Sequence, residues 1–200
     1  MAKKFYSSNE SLVESFFRQD TDDGYTRNNR MYYYGDTIYS YGSHFPIAKI
    51  MPDGSVLFTT RTHSNTTSGH VSNVSYRARS RNIIMCHNPL ATHDVNLDVW
   101  QSGVESLLTR LAAARKPELY TQKIAGIESQ VHKYCSYFDI AIPKRLAALI
   151  SIRSKDDASA YHTLNRVAML AREMGNLNAD DVFSHGLRIE CETETELLTV

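Results

Sequence analysis

Residues 36–81, DTIYSYGSHFPIAKIMPDGSVLFTTRTHSNTTSGHVSNVSYRARSR, decide how the chain folds. Pro52-Asp53-Gly54 is a turn signal with a mechanism, because proline presets φ and glycine accepts a positive one. The flanking runs, 45–51 and 55–60, are apolar and β-prone, so together they predict a hairpin. Pro46 cannot donate to a ladder and must open its strand or lie at an edge. After a hydroxyl-rich turn (Ser64 to Ser68), residues 68–80 admit two readings. As a strand, HVSNVSY alternates. As a helix, Val71, Val74 and Ala78 fall at i, i+3 and i+7, with Thr66 or Thr67 placed to cap it. The helix is preferred, because a cap precedes it and NIIMC follows as the next buried strand.

Working outward, RMYYY and TIYSY are aromatic strands joined by a turn at Gly35-Asp36. Residues 7–18 predict a short helix, with a capping box from Ser7 to Glu10 and Leu12, Val13, Phe16 and Phe17 on one face. Between them QDTDDGYTRNN is polar, contains Gly24 and reads as a loop. From residue 95 the period becomes helical. Asn96 is placed to cap a helix carrying Leu97, Trp100, Val104, Leu107, Leu108 and Leu111. Tyr120, Ile124, Ile127, Val131, Tyr134 and Phe138 then step by four and three, which marks a stripe buried against a neighbour. Pro143 opens a short helix and Ser154 caps another that ends at Gly175. Asn178 can cap one turn more, LRIEC (187–191) reads as a closing strand, and ETETELLTV as a frayed tail. The expected fold is α+β: a small antiparallel sheet with one crossing helix, followed by a helical part of three to four helices. The expected division is a β-rich basic domain with an N-terminal helix over 1–93, and a helical part with an acidic tail over 94–200.

Composition narrows the functional classes. With 42% hydrophobic and 22% charged residues the chain reads as an ordinary globular protein. No apolar run approaches the roughly 20 residues of a membrane span, so no membrane partner is expected. The lysines of MAKKFYSSNESLVE do not lead into an apolar core, so no signal peptide is read. Three widely spaced cysteines suit free thiols in a reducing cytoplasm. Net charge is zero but uneven. Residues 27–93 hold seven bases and two acids, net +5, whereas 173–200 hold one base and seven acids, net −6. That asymmetry points to an anionic partner for the first part, or to the two parts docking on each other.

Candidate chemistry concentrates at the hydroxyl-rich turn. A helix starting there offers free N–H groups and a positive dipole end, with hydroxyls from Thr66, Thr67 and Ser68. Arg61 and His63 precede it and His70 follows, which together suit a phosphate or carboxylate. Arg77, Arg79 and Arg81 alternate as residues that neutralise nucleic-acid phosphates do, and Tyr32, Tyr33, Tyr34, Tyr39 and Tyr41 supply stacking surfaces. The only catalytic candidates are His63 and His70, with His44 and Tyr41 near in sequence, as a general acid and base for phosphodiester cleavage. Neither Cys86/His87/His93 nor His132/Cys135 supplies the four ligands of a zinc site, so no metal is expected. No nucleotide, dinucleotide or hydrolase fingerprint is present, so no cofactor is expected. LAREMGNLNADDVF has the outline of a helix-turn-helix, but Asp180 and Asp181 on its second helix would repel DNA.

GDTIYSYGSHFPIA (35–48) followed by TTRTHSNTTSGHVSNVSYRA (59–78) resembles a small domain found in uncharacterised proteins of bacteriophages and other mobile elements. The family pattern of L/I-Y-S-Y-G, I-A and T-T-S-x-H falls here on Ile38–Gly42, Ile47–Ala48 and Thr66–His70. The resemblance covers about a quarter of the chain and implies a phage source, with action in the host cytoplasm, including against a defence system. It implies no reaction. The leading expectation is a non-enzymatic binding protein that contacts nucleic acid or an anionic protein surface and self-associates through its helical part. A metal-independent nuclease and a purely protein-directed inhibitor or structural component are the alternatives.

Overall fold

The computed structural model describes residues 4–61 and 64–173. Seven strands lie side by side in chain order: β1 (Lys4–Phe5), β2 (Asp23–Tyr25), β3 (Met31–Tyr34), β4 (Thr37–Ser40), β5 (Pro46–Ile50), β6 (Val56–Thr59) and β7 (Ile83–Cys86). From β2 to β6 the sheet is an antiparallel meander, as short turns demand. At both edges the pairing is parallel, β1 with β2 and β6 with β7. Parallel neighbours need a crossover, and two helices supply it: α1 (Asn9–Arg18) between β1 and β2, and α2 (Asn65–Ala78) between β6 and β7.

The expected small antiparallel sheet with one crossing helix is therefore corrected to a mixed, seven-stranded sheet with helices interleaved among its strands. The physical reason is local. β1 and β2 have two and three residues, too few to show an alternating pattern, and β2 contains Gly24 inside a polar stretch. Gly24 is a packing requirement: a Cβ there would meet the Tyr33 ring at 2.4 Å and the Tyr6 ring at 2.7 Å. The parallel pairing of β7 follows from α2, since a strand, a helix and a strand in succession form a βαβ unit.

Four more helices follow: α3 (His93–Ala112), α4 (Glu118–Phe138), α5 (Lys144–Ser151) and α6 (Lys155–Glu173). The chain divides into two units, one through Val99 with His132–Ile140, the other from Trp100 to Val131 and from Ala141 onward. In the first unit Leu12, Val13 and Phe16 of α1 and Val74 and Ala78 of α2 share a core with Met31, Tyr33, Ile38, Ala48, Val56 and Phe58 of the sheet. In the second, the buried positions are Val104, Leu108 and Leu111, Ile124 and Val131, Leu146, Leu149 and Ile150, and Tyr161. Two ion pairs, Arg145–Glu105 at 2.9 Å and Arg153–Glu128 at 2.5 Å, tie its helices at the surface.

Caps fall close to the expected places. Ser8 caps α1, one residue after the expected Ser7. Ser64 caps α2 by accepting from the Thr67 N–H at 3.3 Å, in place of Thr66 or Thr67. Ser154 caps α6 through the Asp157 N–H at 3.0 Å. Asn96 lies inside α3 and holds the chain entering it, accepting from the Asn88 N–H and donating to the Asn88 carbonyl. The expected stop at Gly175, the turn after Asn178, the strand at 187–191 and the tail lie outside the described residues.

Candidate functional site

The segments Ile38–Gly42, Ile47–Ala48 and Thr66–His70 all lie in the first unit. His70, on the buried side of α2 with Val74 and Ala78, is only 4% exposed. Its Nδ1 hydrogen-bonds the Ser40 hydroxyl across 2.7 Å, joining the YSYG segment to the TTSxH segment. The Tyr41 ring lies 5.5 Å from the imidazole. Ile47 and Ala48 are buried in the same core. Burial, and then the positive charge of Arg30, hold the His70 pKa below its ordinary value. A neutral, enclosed imidazole with one nitrogen committed to a serine is a latch between β4 and α2. Among the described residues its Nε2 has no partner.

The hydroxyls of the turn divide. Thr67 is buried, whereas Thr66 and Ser68 are exposed, and a Cβ at Gly69 would meet open space. Arg61 donates to the His44 carbonyl at 3.1 Å and lies over the Phe45 ring at 4.9 Å. His63 lies outside the described residues. The arginine run also divides. Arg77 pairs with Glu14 at 3.3 Å. Arg79 stacks over Tyr76. Arg81 donates to the Phe17 carbonyl at 2.7 Å and the Gly54 carbonyl at 3.3 Å, above the Phe17 ring. Arg81 is thus committed to backbone carbonyls, whereas Arg77 makes a surface pair and Arg79 lies over an exposed ring.

A second feature was only partly visible in the sequence. The strand pleat sends Met31 and Tyr33 into the core and Tyr32 and Tyr34 the other way. Register then aligns Tyr25, Tyr32 and Tyr39 across three strands, with Tyr32 and Tyr39 stacked at 5.0 Å and 12°. Tyr25, Tyr32, Tyr34, Asn29, Tyr41 and Gly42 line a groove of about 400 Å³, completed by Gly24 and Tyr33. Tyr34 is 68% exposed. Burial pushes the Tyr32 and Tyr39 phenols above their ordinary pKa, so both stay neutral donors. At one end of the groove Asn29 and Tyr41 adopt left-handed backbone, φ +50° and +59°. An aromatic residue there is uncommon and strained, and the Tyr41 N–H to the Arg30 carbonyl (2.8 Å) helps to hold it.

The groove is electrically polarised. Arg27 and Arg30 are exposed and flank groove residue Asn29 in the chain, the Arg30 carbonyl accepting from the Tyr41 N–H; among the described residues neither has an ion pair. Asp22, Asp23 and Asp36 cluster at the Tyr34 end, where Asp23 sits opposite Tyr34 and Asp36 pairs with Lys49 at 3.6 Å. An anion is favoured beside the two arginines and planar, neutral groups along the rings.

Burial pushes the Cys86 thiol up to about 12 and raises that of Cys135, so both stay protonated. No cluster of three or more His, Cys, Asp or Glu able to hold a metal occurs among the described residues. Nor is any helix among them long and apolar enough to cross a membrane. Comparison with family models, curated proteins and solved structures finds no match.

Proposed function

We propose that the chain is a non-enzymatic protein that binds unpaired nucleic-acid bases in the tyrosine groove, its phosphates lying at the Arg27/Arg30 end. The observation that carries this reading is the tyrosine-lined groove with stacked and exposed rings, next in the chain to two exposed arginines that have no ion pair among the described residues. Single-strand binders use this combination: rings accept any base, and cations track the backbone. The resemblance of residues 35–78 supports a phage-encoded protein acting in the host cytoplasm, with host nucleic acid or a nucleic-acid-handling defence system as its setting. The nuclease alternative draws less support, since His70 is enclosed and bonded to Ser40.

The test is binding of labelled single-stranded DNA, single-stranded RNA and duplex across a salt series. Single strands are expected to bind more tightly than duplex. Tyr34→Ala and Tyr41→Ala are each expected to cost about 1–3 kcal/mol, the usual worth of one stacked base. Arg30→Ala is expected to lower the salt slope by about one. Absence of binding at low salt, or equal binding of duplex with Tyr34→Ala silent, overturns the reading.

A further inference from the structure

The elbow joining α3 to α4, in the second unit, carries a cluster of basic residues without ion pairs among the described residues. Arg110, Ala113, Ala114, Arg115, Lys116 and Leu119 line a depression of about 490 Å³ beside Tyr120. Arg110, Arg115 and Lys116 are exposed, and among the described residues none of them has an ion pair. Lys123 sits over the Tyr120 ring at 5.8 Å, and Glu118 is the one acid between residues 110 and 123. Four bases against one acid leave a net +3 on fourteen residues. Two other arginines of this unit behave differently: Arg145 and Arg153 are matched with Glu105 and Glu128. Leu119, 52% exposed, adds an apolar contact beside the cations.

We infer that this elbow is the docking surface for the chain's own acidic segment, residues 190–198, ECETETELL. Three observations select that occupant. The first is charge: Glu190, Glu192, Glu194 and Glu196 face no base in the segment, and their alternation lets an extended strand present all four on one side. The second is apolar content, because Leu197 and Leu198 follow directly and match Ala113, Ala114 and Leu119. The third is reach. Lys155 Nζ donates to the Ala114 carbonyl at 3.4 Å, so α6 begins at the elbow. Its 19 residues carry the chain about 28 Å away. Glu190 lies 17 residues beyond Glu173, which extended span up to about 56 Å, twice the return distance. A self-supplied polyanion held this close has a high effective concentration and competes with any external anion for the elbow.

Zero-length carbodiimide cross-linking of the full chain, read by mass spectrometry, tests the inference. The Lys49–Asp36 pair at 3.6 Å is the internal positive control. Links from Lys116 and Lys123 to Glu192, Glu194 or Glu196 within one chain are expected, and they are expected to vanish at high salt and in Arg110→Glu/Arg115→Glu. A mixture of isotopically light and heavy chains separates links within a chain from links between copies. Links only between copies overturn the inference, as does their absence while Lys49–Asp36 forms. Protection of Lys116 by an added oligonucleotide, with no tail links in its absence, overturns it too and makes the elbow a phosphate contact.

Discussion

Tyr33 and Tyr34 are neighbours of identical chemistry with opposite surroundings. Tyr33 is 1% exposed, its ring against Phe16 and its hydroxyl bonded to Ser15, Thr21 and Tyr6. Tyr34, one residue on, has its ring in solvent beside the groove. The difference comes entirely from the pleat of β3, which alternates the two faces of the sheet. It teaches that tyrosine content by itself assigns nothing: in one run of three, one ring is core, one is half-buried against Tyr39 and one is exposed.

Four substitutions sharpen or break that contrast. The largest effect is expected for Tyr33→Ala, which removes a buried ring and leaves the Ser15 and Thr21 hydroxyls short of a partner. Urea unfolding should show a loss of about 3–5 kcal/mol, against under about 1 kcal/mol for Tyr34→Ala. Equal losses at the two positions would break the comparison. Gly24→Ala comes next. Its Cβ would press on the Tyr33 and Tyr6 rings, which are locked by packing and hydrogen bonds, so a loss of about 1–3 kcal/mol is expected from the same measurement. A neutral result would mean that the two rings yield freely.

The smallest effect concerns His70. Its folded pKa is depressed, first by burial and then by Arg30. Above the unfolded value of about 6.5 both states are neutral and the latch contributes fully. As pH falls below that value the unfolded imidazole takes a proton that the folded one resists, so stability declines on acidification. Urea midpoints at neutral and mildly acidic pH should fall less in His70→Gln than in the unsubstituted chain. Identical slopes would show that His70 is not the group responsible.

Much of this was legible in the residues. The Pro52-Asp53-Gly54 turn does join β5 to β6, and the stepping of Ile124, Val131 and Tyr134 does mark the buried side of α4. Both signals are local, lying within one turn or one helix. What escaped depends on distant partners. β2 hides in a polar stretch because its central residue is a glycine chosen to make room for two tyrosine rings. Ser40 carries no signature of its own, and its role appears only when His70, thirty residues later, arrives beside it. Tyr25 and Asn29 were concealed in a stretch read as loop, although the alternation of Tyr32 and Tyr34 about Tyr33 was a clue to an outward aromatic face. The arginine run showed its charge in the sequence, but the carbonyls and carboxylate that occupy Arg81 and Arg77 could not be read there.

The two-residue β1 has a consequence for how copies of the chain meet at high concentration. A sheet border is a template: unpaired amides and carbonyls invite another strand, and a long flat border invites many. Here, among the described residues, the border beside the aromatic meander is closed by Lys4 and Phe5, with Lys4 exposed and Phe5 resting edge-on to Tyr25 at 5.7 Å. So brief a ladder, bearing a charge, gives an incoming strand little to register against. On this side the sheet exposes tyrosines on its face while presenting only a short, charged edge.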